Sequence, residues 1–264
     1  MSTATQPELK EFYASSADTA LRDLQDAHYK PLFMPGVIDA RLADENLFKT
    51  WLLSTSMRAT GKTKQCSGVV IYAHIPNYFS NPANIRKAID QGLVNYAVKV
   101  PQEEFDRLVK LAEKGAKGVH IVPYETLKKA ASGYVPLDEA LAHPQTIPFC
   151  NGKERAEKYV PKVGEVYNTK TIGIWHSDDL YDQPVARLLY VGGVDDDGLY
   201  GFDYFYDIAC FLGVRSSASA VSASPQKSDD LASRVLKEMQ SRKPIVQVGD
   251  ISYMLVPKEL QVKG

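Results

Sequence analysis

Two rhythms divide the chain. In 19–27, 83–91, 102–114 and 231–239, apolar residues recur every three or four positions, as on a helix with one buried face. In 68–74 (GVVIYAH), 120–122, 171–175 (TIGIW), 185–191 (VARLLYV) and 211–215 (FLGVR), short apolar runs between turn residues predict strands. Punctuation supports these bounds. Asn81-Pro82 opens one helix and Gly92 closes it, while Pro101 followed by Glu103 and Glu104 opens another that Gly115 stops. Pro31 and Pro35-Gly36 are read as ending the first helix. Leu47, Phe48, Trp51 and Leu52 then give a short amphipathic helix after Asp44. Short helices are expected at 125–130 and 137–142, joined by a Ser132-Gly133 turn. The segment 143–170 reads as loop, broken by an Asn151-Gly152 turn and a short helix at 154–159. After 215 the rhythm lapses into a Ser/Ala-rich linker, 216–228. Two short strands around Gly249-Asp250 then give a hairpin signal.

One stretch follows neither rhythm. Residues 188–215 read LLYVGGVDDDGLYGFDYFYDIACFLGVR, and from Leu188 to Val214 they contain no Lys, Glu, Gln, Met or Trp. After Gly193 there is neither a continuous apolar run nor strict alternation. Rings and carboxylates sit on a glycine-punctuated backbone, the composition of a contact surface, where tyrosine gives large area at low entropic cost. The competing reading makes Phe202, Tyr204 and Tyr206 one buried face of a strand, with Asp203 and Asp207 outside.

Composition narrows the classes. The formal net charge is −1, which lacks the basic footprint of a nucleic-acid binder. No apolar run approaches the ~18 residues of a membrane span. The polar N-terminus carries no expectation of a signal peptide. The three cysteines, Cys66, Cys150 and Cys210, are widely spaced and form neither a CxxC pair nor a metal framework. Gly61-Lys62-Thr63 invites a phosphate-loop reading, but the signature needs a glycine at position 56, where serine stands. The segment is read as a basic surface turn. His74, at a strand end, is read as a structural histidine. A metal hydrolase on His74, His176, Asp178 and Asp179 has chemically suitable ligands but no recognised ligand spacing. Asp195-Asp196-Asp197 is read as a solvated turn rather than a calcium site.

Three pieces, in this order, carry a resemblance. VKVPQEEFDRLVKLAEKG is similar to the helix start R-L-P-T-E-x-E-W-E-x-A of formylglycine-generating-enzyme-type domains. The 187–193 segment RLLYVGG resembles their R-V-x-R-G-G strand, and 211–215 resembles their closing G-F-R strand. Lys99, Val100 and Phe105 depart from the pattern, and about 50 residues follow where those domains end. The resemblance implies a C-type-lectin fold, an α+β arrangement with a small twisted antiparallel sheet, two main helices and much irregular loop. The same fold carries the variable proteins of diversity-generating retroelements. There, copying errors at adenines scatter asparagine codons over Tyr, Asp, Phe, Val, Ile, Ala, Cys, Gly and others, but never Lys, Glu, Gln, Met or Trp. The residue set between Gly193 and Phe211 fits that restriction.

The resemblance therefore implies a non-enzymatic binding protein. A lectin-like domain with an N-terminal extension spans 1–215, and 216–264 is a linker and helix-hairpin tail packing on or beside it. The variable contact positions are Val194, Asp195, Asp196, Asp197, Tyr200, Phe202, Asp203, Tyr204, Phe205, Tyr206, Asp207, Ile208, Ala209 and Cys210. The partner is a protein or cell-surface ligand, with no nucleic acid, no membrane insertion and no cofactor, and the oligomeric state is open. A virion tail fibre or a cell surface is the expected location, with the cytoplasm a further alternative. The competing activity is a formylglycine-generating or metal-dependent enzyme. The former uses a cysteine pair late in the fold, where this chain has Cys210 alone.

Overall fold

The computed structural model describes residues 7–177, 179–193, 198–201 and 209–215, and the backbone of 245–248 and 251–254. The chain divides into two compact units, 1–221 and 222–264. In the first, β1 (Glu8–Ala14), α1 (Ala17–Asp26), β2 (Lys30–Pro31) and α2 (Met34–Ala43) precede a 3-10 turn at Glu45–Lys49. Next come β3 (Leu52–Lys62), β4 (Gly68–Ala73), α3 (Pro82–Asp90), β5 (Val98–Lys99), α4 (Gln102–Glu113) and β6 (Val119–Pro123). They are followed by α5 (Tyr124–Lys128), β7 (Gly133–Pro136), α6 (Leu137–Ala140), α7 (Thr146–Cys150) and α8 (Lys153–Tyr167). The unit closes with β8 (Thr171–His176), β9 (Val185–Val191), β10 (Gly198–Gly201) and β11 (Ala209–Arg215).

Among the described residues these eleven strands form one sheet with the path β1-β11-β3-β9-β10-β8-β7, and β4, β6, β2 and β5 join from the side. The fold is α+β, as expected. The sheet is larger than expected and mixed, because β11 runs parallel to β3 and β10 parallel to β8. Five described helices, rather than two, reach nine residues or more.

The sheet has a core on each face. Leu53, Met57, Ala59, Ile71, Leu188 and Phe211 meet α1, α3 and α4 through Leu21, Ile85, Phe105 and their neighbours. Leu52, Val70, Tyr72, Leu189, Val191, Ile174 and Leu199 face the other way, toward Met34, Phe149, Tyr159 and Val163. Successive residues of a strand point to opposite faces, so β4, covered on both, reads as an unbroken apolar run, and β9 as one interrupted by Arg187 alone.

Several local expectations are corrected. Pro35 does not end a helix but sits in the first turn of α2, where its missing N–H costs nothing. The 58–64 segment is not a surface turn after a helix. Up to Lys62 it is β3, whose residues from Leu52 to Gly61 are buried. Leu52 starts that strand rather than ending a helix, while the preceding 3-10 turn is capped by the Asp44 carboxylate accepting from the Asn46 N–H. Ser132-Gly133 leads into the edge strand β7. The segment expected to be loop holds α7 and the fifteen-residue α8.

In the second unit, β12 (Ile245–Val248) and β13 (Ile251–Met254) pair antiparallel, Ile245 opposite Met254 and Val248 opposite Ile251. This is the hairpin signalled by Gly249-Asp250. The helix expected at 231–239 lies outside the described residues.

Candidate functional site

Strand β10 is the centre of the candidate site. Residues 194–197 join β9 to it, and 202–208 join it to β11, so one part of the biased stretch ends at its start and the other begins at its end. It lies between two neighbours. Leu199 and Tyr200 stand opposite Val191 and Tyr190 of antiparallel β9, and Gly198 to Gly201 run alongside Gly173 to His176 of parallel β8. Helices α6, α7 and α8 back this part of the sheet on the face of Leu199 and Ile174.

The opposite face carries a row of rings. Tyr190 and Tyr200 are stacked with centroids 4.3 Å apart and planes within 14°. Trp175 continues the stack 6.2 Å from Tyr200, and Tyr134 of β7 meets Trp175 edge-on at 5.7 Å. Tyr200 is buried between its neighbours, whereas Tyr134 is 57% exposed. A methyl group at Gly198 would overlap the Tyr200 ring and one at Gly173 would overlap the Trp175 indole, so glycine at both places lets the rings lean back along their strands.

The framework grips the main chain of this region with buried polar side chains. Gln145 is fully buried before α7. Its Nε2 donates to the Trp175 and Leu199 carbonyls, each at 3.1 Å, and its Oε1 accepts from the Tyr72 hydroxyl at 3.0 Å. Arg41 of α2 is 1% exposed, and its guanidinium donates to the carbonyls of Gly192 at 2.6 Å, Val191 at 3.4 Å and Thr50. It also donates to the Tyr159 hydroxyl at 2.9 Å and lies over the Phe48 ring. The Gly192 N–H donates to the Gly198 carbonyl at 3.0 Å, tying the chain before 193–197 to the chain after it.

Two further buried guanidiniums, Arg58 and Arg187, sit opposite each other on β3 and β9. Arg58 donates to the Ser177 carbonyl at 2.7 Å. Arg187 donates to the Asp179 carboxylate and the Asn95 carbonyl. Burial and the Arg58 charge push the Arg187 pKa down despite Asp179. Burial alone would raise the Asp179 pKa, but hydrogen bonds from Asn95 and Arg187 outweigh it and hold the group below the usual carboxylate range.

The structure separates the expected contact positions. Val194 to Asp197 and Phe202 to Ile208 lie outside the described residues. Tyr200, expected as a contact, is corrected to a buried strand residue, 6% exposed and enclosed by the Tyr190 and Trp175 rings. Ala209 and Cys210 are corrected to framework positions. They begin β11 fully buried, paired with Ala14 and Tyr13 of β1, and burial pushes the Cys210 thiol up to about 12. Tyr134, Trp175 and Tyr190 were not among the expected contacts. Tyr190 and Trp175 lie within apolar runs that predict strands, and Tyr134 adjoins the Ser132-Gly133 turn expected from the sequence.

The residues of the metal-hydrolase alternative have other contacts. His74 bonds the Ser56 hydroxyl at 2.9 Å and the Pro148 carbonyl at 2.8 Å, and burial pushes its pKa down to about 3. His176 lies beside the His143 ring, and its backbone N–H and carbonyl both bond the Ser132 hydroxyl. Asp179 is taken by Arg187, and Asp178 lies outside the described residues. Among the described residues, no three His, Cys, Asp or Glu side chains come together as a metal site. All three cysteines are free, and no described helix is long and apolar enough to cross a membrane.

No family model and no curated protein matches the chain. Among solved structures it is similar to one described as the accommodation of massive sequence variation in Nanoarchaeota by the C-type lectin fold. The identity is 45% over 80% of this chain and the whole of that one, with a TM-score of 0.74.

Proposed function

Because this chain belongs to the variable proteins of diversity-generating retroelements built on the C-type-lectin fold, we propose that it is a ligand-binding protein whose diversified residues are Val194–Asp197 and Phe202–Ile208. The observation that carries the reading is the position of β10. One face is closed by Leu199 against the core, the other holds a ring row rising to exposed Tyr134, and the strand directly follows one unusual segment and directly precedes the other. Rigid aromatic side chains supply much of the energy of compact interfaces, and Asp195–Asp197, Asp203 and Asp207 favour partners with basic surfaces. Tyr134, Trp175 and Tyr190 add an unchanging apolar floor to the changing positions. The ligand is a protein or another surface component, met where the protein is displayed outside a cell or a virion. The domain extends through 215, and 216–264 serves as an attachment segment.

A display library randomised at 194–197 and 202–208 tests this. Panning it against unrelated proteins is expected to yield binders whose specificity transfers with these eleven residues alone. Binders that keep their specificity after the segments are exchanged would refute the assignment. Sequencing the flanking DNA gives a second check. A reverse-transcriptase gene is expected nearby, with a near-copy of the codons for 188–215 that differs only at adenines.

A further inference from the structure

The buried polar grip on β10 has a property that side-chain packing lacks. Among the described residues, Gln145 and Arg41 bond this region through main-chain carbonyls, those of Trp175, Leu199, Val191 and Gly192. Every residue type offers the same carbonyl, so these bonds do not read the side chains of 194–197 or 202–208, whereas a Cβ at Gly201 of the strand itself would press on Gln145 Oε1. Their placement is also specific. Arg41 holds Val191 and Gly192, one residue short of the 194–197 segment, and Gln145 holds Leu199 of the strand between that segment and 202–208. Each is tied to the framework by a separate tyrosine, Tyr159 for Arg41 and Tyr72 for Gln145.

We propose that Arg41 and Gln145 are positioning residues that fix, through backbone atoms alone, the chain leading into 194–197 and the strand between 194–197 and 202–208. Changes of sequence in 194–197 and 202–208 are thereby kept from propagating into the sheet. The proposal rests on the reading above only in calling those segments diversified.

The test uses the full chain carrying Trp51→Phe, which leaves Trp175 as the remaining tryptophan of two. Into it go Gln145→Met, which keeps the volume but removes the donors, and Arg41→Lys, which keeps the charge but cannot make the same fork. Hydrogen exchange is followed by mass spectrometry, and Trp175 emission reports on its stack with Tyr200. Gln145→Met is expected to speed exchange at least ~tenfold at 198–201, equivalent to a ~1.4 kcal/mol loss of local protection, and to shift Trp175 emission. Arg41→Lys is expected to speed exchange at Gly192 and leave 171–176 unchanged. In both variants 68–73 keeps its protection, and the local effect is the same when 202–208 is replaced by serines.

Acceleration spread evenly over the sheet, an effect that changes with the 202–208 sequence, or no change at 192 and 198–201 would each overturn the proposal. So would failure of both variants to fold, which would make them general determinants of the fold. No ligand enters the measurement, so a negative result leaves the binding reading untouched, and failed panning leaves this one untouched.

Discussion

The two faces of β10 are one residue apart in sequence and opposite in what they do. Leu199 is fully buried among Ile174, Val191 and the helices behind them. Tyr200, the next residue, stacks on Tyr190 and Trp175 in a row that opens toward exposed Tyr134. The strand thus packs an aliphatic core on one face and a ring stack on the other. The effect of a substitution should follow the parity of the position rather than its distance from the candidate surface.

The largest expected effect is on the closed face. Leu199→Ala leaves a cavity in a packed core and should cost ~2–5 kcal/mol in urea unfolding. A loss below ~1 kcal/mol would show that this face is not closed. Next is the pH response of the framework. His74 is neutral when folded, its pKa pushed to about 3 by burial, and recovers its ordinary 6.5 when unfolded. Between these values the unfolded chain binds the extra proton, so stability present above pH 6.5 is lost as pH falls toward 3. His74→Gln, which can keep both hydrogen bonds, should flatten this acid limb. An unchanged limb would assign it to other groups.

Smaller effects belong to the ring face. Tyr200→Leu removes two stacking contacts while keeping an apolar side chain and should cost ~1–2 kcal/mol. It should also alter the near-ultraviolet circular dichroism of Trp175. The smallest is Tyr134→Ala, expected to change stability by no more than ~0.5 kcal/mol while weakening ligands selected on the native surface. A stability loss comparable to that of Leu199→Ala would erase the difference between the faces.

How much of this was legible depended on whether a residue's environment matched its type. Helices α3 and α4 carried helical periodicity, a proline start and a glycine stop, and appear where expected, as do β4, β8 and β9. Strand β3 did not announce itself. Ser54, Ser56 and Arg58 are polar yet buried, because Ser54 donates to the Leu189 carbonyl, Ser56 accepts from the Met34 N–H and Arg58 bonds Ser177. Those partners are far away in sequence. Helix α8 did carry a signal, with Ala156, Tyr159, Val160, Val163 and Gly164 buried at helical spacing, but Pro161 masked it. In the candidate site the compositional bias marked the stretch. It could not separate Ala209 and Cys210, which are core, from their neighbours, because small apolar residues fit either setting. Nor could it bring Tyr134 and Trp175 to Tyr200, since that row is assembled by pairing across β7, β8 and β10.

The central claim is that the framework is indifferent to side chains in 202–208 while binding depends on them. The most direct measurement is urea unfolding of a panel in which these seven residues are replaced by unrelated segments drawn from Tyr, Asp, Ser, Asn and Gly. Midpoints agreeing within ~10–15% across the panel, alongside ligand preferences that differ from member to member, are the predicted result. Midpoints scattered over the range expected for core substitutions, with most members unfolded, would contradict it.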